Sequence, residues 1–92
     1  GGETPKEFSL GQNYPNPFNP TTKLSFVIGH SSLVSLKVYD VLGREVASLV
    51  NEVKPAGTYE VTIAGGNLSS GVYFYTLKAG RYSATKGMLL IK

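Results

Sequence analysis

The sequence predicts an all-β sandwich of about seven mainly antiparallel strands. Three observations carry that expectation. The run Gly71-Val72-Tyr73-Phe74-Tyr75-Thr76-Leu77-Lys78-Ala79-Gly80 is dense in branched and aromatic residues, which suit a pleated, half-buried surface. Clean apolar alternation recurs at Lys23 to Ile28, Val34 to Tyr39 and Thr58 to Ile63. Turn residues punctuate the chain at regular intervals, and helical apolar spacing is interrupted throughout.

In chain order, residues 1–7 are small and polar and read as a linker. The domain is expected over residues 8–92. Phe8 and Leu10 flank Ser9 in a candidate short edge strand. Next comes Gln12-Asn13-Tyr14-Pro15-Asn16-Pro17-Phe18-Asn19-Pro20-Thr21-Thr22. Its prolines forbid a helix or a central strand and push each preceding residue toward extended conformations. The segment is expected to run along the surface, with Tyr14 and Phe18 as apolar anchors.

Between Lys23 and Ile28, Leu24, Phe26 and Ile28 point inward, with Lys23, Ser25 and Val27 outward. Gly29 to Ser32 form a turn. Val34, Leu36 and Val38 then alternate with Ser35, Lys37 and Tyr39. Asp40-Val41-Leu42-Gly43 fits a type I turn, with Asp40 bonding the turn backbone and Gly43 left-handed. Glu45 to Val50 pairs back as a hairpin, and Asn51 to Gly57 is expected as a loop. Thr58 to Ile63 places Tyr59, Val61 and Ile63 on one face. Ala64 to Ser70 leads into the run at Gly71, which has bulk on both faces. Such a strand is central, either covered on both sides or lightly exposed on one. Tyr82 to Ile91 returns as the last strand, ending Lys86-Gly87-Met88-Leu89-Leu90-Ile91-Lys92.

The 92 residues fit one small domain. Hydrophobic residues are 41% and charged residues 16%, too apolar for disorder and too weakly charged for a coiled coil. The net charge of +3 is spread singly along the chain, so no basic patch argues for nucleic acid. Cysteine is absent, which removes disulfides and thiolate metal sites. No run approaches the eighteen or so apolar residues of a membrane helix, and stable membrane insertion is not expected. A signal peptide is not evident, and the chain reads as a piece of a longer protein.

Nothing in the sequence assembles chemistry. The acidic residues Glu3, Glu7, Asp40, Glu45, Glu52 and Glu60 are scattered, and His30 sits alone in a polar turn. No serine has nucleophile-elbow spacing. No catalytic, cofactor-binding or metal-ligating residue is assigned, and no cofactor is expected. Asn67-Leu68-Ser69 matches a glycosylation pattern but reads as a loop. The tyrosines could stack against sugars, yet most are expected half-buried with the hydroxyl at the rim.

Four stretches in order carry a resemblance. They are Tyr14-Pro15-Asn16-Pro17-Phe18, Val38-Tyr39-Asp40-Val41-Leu42-Gly43-Arg44-Glu45-Val46, Ser70-Gly71-Val72-Tyr73-Phe74-Tyr75, and Lys86 to Lys92. Together they resemble the type A C-terminal sorting domain of proteins exported by the type IX secretion system of Gram-negative bacteria. The likeness runs from about Phe8 to Lys92. Two departures stand out: Ile63-Ala64-Gly65 where the family often has Trp-Asp-Gly, and Lys86-Gly87 where it often has paired lysines.

The resemblance implies an Ig-like, non-enzymatic sandwich that directs a cargo protein across the outer membrane. Its implied partners are the type IX machinery and a surface sortase, which in this family often removes the domain. Its implied route is through the periplasm to the cell surface or the medium. Candidate recognition residues are Tyr14, Pro15, Asn16, Pro17 and Phe18, with Lys86, Gly87, Met88, Leu89, Leu90, Ile91 and Lys92. The last strand offers strand-edge recognition, and an open edge would also permit self-association. The alternatives are a carbohydrate-binding module, with an exposed aromatic row on one sheet, or a structural Ig-like spacer, which would tolerate loss of Lys86 to Lys92.

Overall fold

The computed structural model describes residues 7–92, so the linker expected over residues 1–7 falls outside the described residues except for Glu7. Seven strands follow: β1 (Ser9–Leu10), β2 (Thr21–Ile28), β3 (Ser32–Tyr39), β4 (Glu45–Lys54), β5 (Gly57–Ala64), β6 (Gly71–Ala79) and β7 (Tyr82–Leu90). They form two antiparallel sheets, ordered β1-β2-β5 and β4-β3-β6-β7. This is the sandwich that the alternation predicts, and its strand count matches.

The inward residues seal the core between the sheets. Leu24, Phe26 and Ile28 from β2 face Val34, Leu36 and Val38 from β3, with Tyr75 and Leu77 from β6. All are buried, as period-two alternation requires of a sheet with one covered face. The strand from Gly71 is central in its sheet, flanked by β3 and β7. Tyr73 and Tyr75 point inward, while Val72 and Phe74 stay lightly exposed on the outer face. Tyr59 and Tyr73 each donate a hydroxyl hydrogen bond to a carbonyl four residues upstream, Pro55 O at 2.6 Å and Ser69 O at 2.7 Å. The Tyr73 bond, at the entry to β6, has the form of the tyrosine corner of Ig-like sandwiches.

One boundary departs from expectation. Asn51 to Gly57 is not a loop: β4 runs on to Lys54 and pairs with β3 as far as Ser32. Asn51 and Glu52 have poor strand propensity, but the ladder offered by Val34 and Ser35 overrides it. Only Pro55 and Ala56 separate β4 from β5. The β3–β4 register shifts twice, between Leu36 and Lys37 and between Val38 and Tyr39. Such bulges twist a strand and blunt its edge.

The hairpin tip forms as the sequence predicts. Gly43 N donates to Asp40 O at 3.0 Å, and Gly43 takes φ +80°, a left-handed conformation that costs a side chain dearly. Asp40 Oδ1 accepts from the amides of Leu42 and Arg44, and Oδ2 accepts from Arg44 Nε at 2.8 Å. The Arg44 amide above all, with the Arg44 side chain and the Leu42 amide, holds the Asp40 carboxyl below its ordinary range, against the opposing cost of desolvation. The unfolded chain therefore takes up its proton at higher pH than the folded one. This contribution is present above the unfolded pKa and vanishes as pH falls through the folded value. Asp40→Asn is expected to melt below wild type at neutral pH, with the gap closing in acid. Thermal melts across pH check this, and a gap independent of pH would refute the assignment.

Candidate functional site: a strap clasped to the terminal strand

The two stretches singled out in the sequence come together along one flank of the sandwich. The chain from Gly11 to Pro20 is a strap that leaves β1, crosses to β7 of the other sheet at Phe18 and returns to enter β2 at Thr21. Gly11 N donates to Ser25 O at 2.8 Å, and Tyr14 exchanges both backbone bonds with Lys23. Phe18 then forms a parallel bridge with Leu90 on β7. The Xaa–Pro bonds at Pro15, Pro17 and Pro20 are cis.

Polar groups fix the first half. The Tyr75 hydroxyl, on the central strand, donates to Gly11 O at 2.8 Å and accepts from Asn13 N at 2.9 Å. Burial raises the Tyr75 pKa, with the Asn13 amide bond opposing it. Asn13 is buried too; its Nδ2 donates to Thr22 Oγ1 and Pro15 O, both at 3.1 Å. Thr22 Oγ1 donates in turn to Pro15 O at 2.8 Å. No buried side-chain polar atom is left unpaired among the described residues, so the network carries little desolvation cost.

An aromatic plug and a backbone clasp fix the second half. Phe18 is 1% exposed and lies in the core beside Leu90 and Gly65. A Cβ on Gly65 would meet Leu90 Cδ2 at 3.0 Å, Pro20 O at 3.1 Å and Phe18 Cε2 at 3.2 Å. Glycine at that position lets the loop after β5 close against the plug, and Gly65 N donates to Pro20 O at 2.7 Å. Along the outer edge of β7, Phe18 N donates to Leu89 O and Ile91 N donates to Phe18 O, both at 2.9 Å. Asn16 Oδ1 accepts from Leu89 N at 3.0 Å, and Gln12 Nε2 donates to Gly87 O at 2.9 Å.

Two sequence expectations change here. Tyr14 is not an anchor: it is 83% exposed, because its bridge to the outward-facing Lys23 turns its side chain away from the core. Phe18 alone fills the anchoring role. The edge of β7 is not open over its C-terminal half, because the strap already uses the outward polar groups of Leu89 and Ile91 and the Gly87 carbonyl. A foreign strand could pair there only by displacing the strap.

The other candidate residues divide by face. Pro15, Asn16 and Pro17 are exposed on the strap. Met88 and Leu90 are buried, while Leu89 and Ile91 face out. Lys86 and Gly87 are half-buried, and a Cβ on Gly87 would lie 3.5 Å from the Phe74 ring. Lys92 is tied to the β5–β6 loop, its amide to Ser70 Oγ at 2.9 Å and its Nζ to Gly66 O at 2.6 Å. The sequence reading missed Gln12, Asn13, Thr22, Gly65 and Tyr75 as parts of this unit. Among the described residues, no three His, Cys, Asp or Glu side chains gather as a metal site.

An Ig-like sandwich whose proline-rich strap is clasped to its terminal strand defines a compact, non-covalently closed module. The family model for the secretion system C-terminal sorting domain matches residues 12–92, which takes in the strap from Gln12 onward, the clasp and every strand from β2 to β7. The chain belongs to that family. It is thus a C-terminal sorting signal for type IX secretion, which implies engagement with that system's machinery and passage to the cell surface or beyond. No curated protein and no solved structure matches it.

Proposed function

We propose that this chain works as a folded, non-catalytic address. The cargo to which it is joined reaches the periplasm, where the machinery recognises the closed strap and β7 and carries the protein across the outer membrane. A surface sortase then cuts in the polar residues 1–7, which precede the first described strand. The recognition surface is the accessible part of the two stretches, Tyr14 to Pro17 with Lys86, Gly87, Leu89, Ile91 and Lys92, while Phe18, Met88 and Leu90 support it from the core. The observation that supports this reading is the clasp, which joins two of the four stretches that carry the family resemblance. The sugar-platform alternative loses two of its tyrosines, since Tyr73 and Tyr75 are buried.

The test is export. The complete chain is fused behind a secreted reporter in a bacterium with type IX machinery, and surface and medium reporter are assayed in wild-type and machinery-deficient cells. Machinery-dependent export is expected, with the reporter released free of the domain and cut within residues 1–7. A reporter retained in the periplasm in both strains would sink the address reading. Release with the domain still attached would remove the sortase step alone.

A further inference from the structure

We propose that the machinery grips Tyr14 as a side-chain anchor on the closed strap, rather than adding a strand to the edge of β7. This rests on the sorting role proposed above and names the mode of recognition.

The clasp closes the edge of β7 from Gly87 onward to an added strand. Strand addition needs a row of unpaired backbone groups. At the C-terminal half of β7 those groups are bonded to Gln12, Asn16 and Phe18. What the strap leaves for a partner is its side chains, and among these one differs in kind. Tyr14 is 83% exposed, whereas the other large strap aromatic, Phe18, is 1% exposed.

Tyr14 is also held still. Its amide donates to Lys23 O at 2.8 Å and its carbonyl accepts from Lys23 N at 3.1 Å. Its neighbour Asn13 is buried and bonded at backbone and side chain, and its other neighbour, Pro15, has a carbonyl that accepts from both Asn13 and Thr22. An exposed aromatic on so fixed a backbone loses little freedom on binding, and tyrosine carries much area with few rotatable bonds. Such residues are enriched among binding hot spots.

The surroundings specify the partner. Tyr14 lines a shallow groove together with Gly11, Gln12, Leu24, Ser25 and the exposed Lys23–Glu60 ion pair (3.7 Å). The chemistry that fits is a protein pocket with apolar walls for the ring, a polar group for the phenol, and charged groups at its rim for Lys23 and Glu60. The division of labour is then plain: Phe18, Asn16 and Asn13 hold the strap, and Tyr14 is read.

The experiment uses the complete chain on the reporter fusion, with Tyr14→Ala, Tyr14→Phe and Asn16→Ala beside wild type, measuring export and the melting temperature of each purified protein. Tyr14→Ala is expected to lower export about tenfold, the loss of one hot-spot aromatic. Its melting temperature should stay within about 2 °C of wild type, as for a surface substitution. Tyr14→Phe keeps the ring but leaves the partner's polar group unpaired, so its export should fall between wild type and Tyr14→Ala. Asn16→Ala, which frees the Leu89 amide, should not raise export. Undiminished export of a folded Tyr14→Ala protein overturns the anchor. Higher export of Asn16→Ala overturns the closed-strap mode, since a strand-adding partner gains when the edge is freed. Failure of the wild-type fusion itself would instead strike the sorting role on which the inference rests.

Discussion

Phe18→Ala is expected to destabilise the domain by about 3–5 kcal/mol, the usual cost of emptying a buried aromatic site. Small domains hold about 5–15 kcal/mol in all, so the loss takes a large share of the stability present. The cost should fall at the high end. The ring sits between Leu90 and the loop at Gly65, and the Gly65 amide is already committed to Pro20 O, so the site cannot collapse easily. The clasp should fail along with the plug. Phe18 N and O bond Leu89 O and Ile91 N only while the side chain pins the strap in place. Urea unfolding should show a lower midpoint, and hydrogen exchange should show early loss of protection at Leu89 and Ile91. Wild-type stability in the variant would mean that the strap rests on the sandwich without bracing it. Export should fall with it, unlike in Tyr14→Ala, where folding and export separate.

Tyr75→Phe tests the other half of the strap with a change of one oxygen. The ring remains packed in the centre of the core, where Tyr75 has no exposed surface. The Asn13 amide loses its acceptor and the Gly11 carbonyl its donor. Leaving buried polar groups without partners costs about 1–3 kcal/mol, a loss that the gain in apolar character does not repay. The expected signature is local: the Asn13 amide exchanges faster than in wild type, while the amides of β3 and β6 lose protection only in line with global stability. Burial also keeps the Tyr75 phenol protonated beyond its ordinary range. Its contribution is full below the unfolded pKa and is lost as pH rises toward the folded value, so wild type weakens in alkali. Tyr75→Phe should lack that component, and a stability gap between the two proteins that does not narrow in alkali would contradict it.

The strands were legible because their signal is local. Leu24-Phe26-Ile28 and Val34-Leu36-Val38 announce their faces by alternation alone, and the structure buries each of them. The Asp40–Gly43 turn is equally local. Asn51 to Lys54 was not legible, because its strand state comes from a neighbour's ladder and not from its own propensity. The strap was half legible. Its prolines forbid regular structure, but nothing local distinguishes Tyr14 from Phe18. Which of them turns inward depends on the strap leaving β2 at one and joining β7 at the other. The Tyr75–Asn13 bond joins residues 62 positions apart, and no window of sequence reports it. Three-dimensional assembly of Gln12, Asn16 and Phe18 against Gly87 to Ile91 was hidden for the same reason.

The clasp also has a consequence in time. A chain is made from its N-terminus onward. The strap is made early, yet its partner β7 is made after every other strand described. Until Leu89, Leu90 and Ile91 leave the ribosome, Phe18 has no strand to bridge and Asn16 no amide to accept. A cargo whose translation stops short, or whose tail is trimmed, therefore cannot close the strap. The strap thus reports on synthesis: only a protein translated through β7 carries it closed.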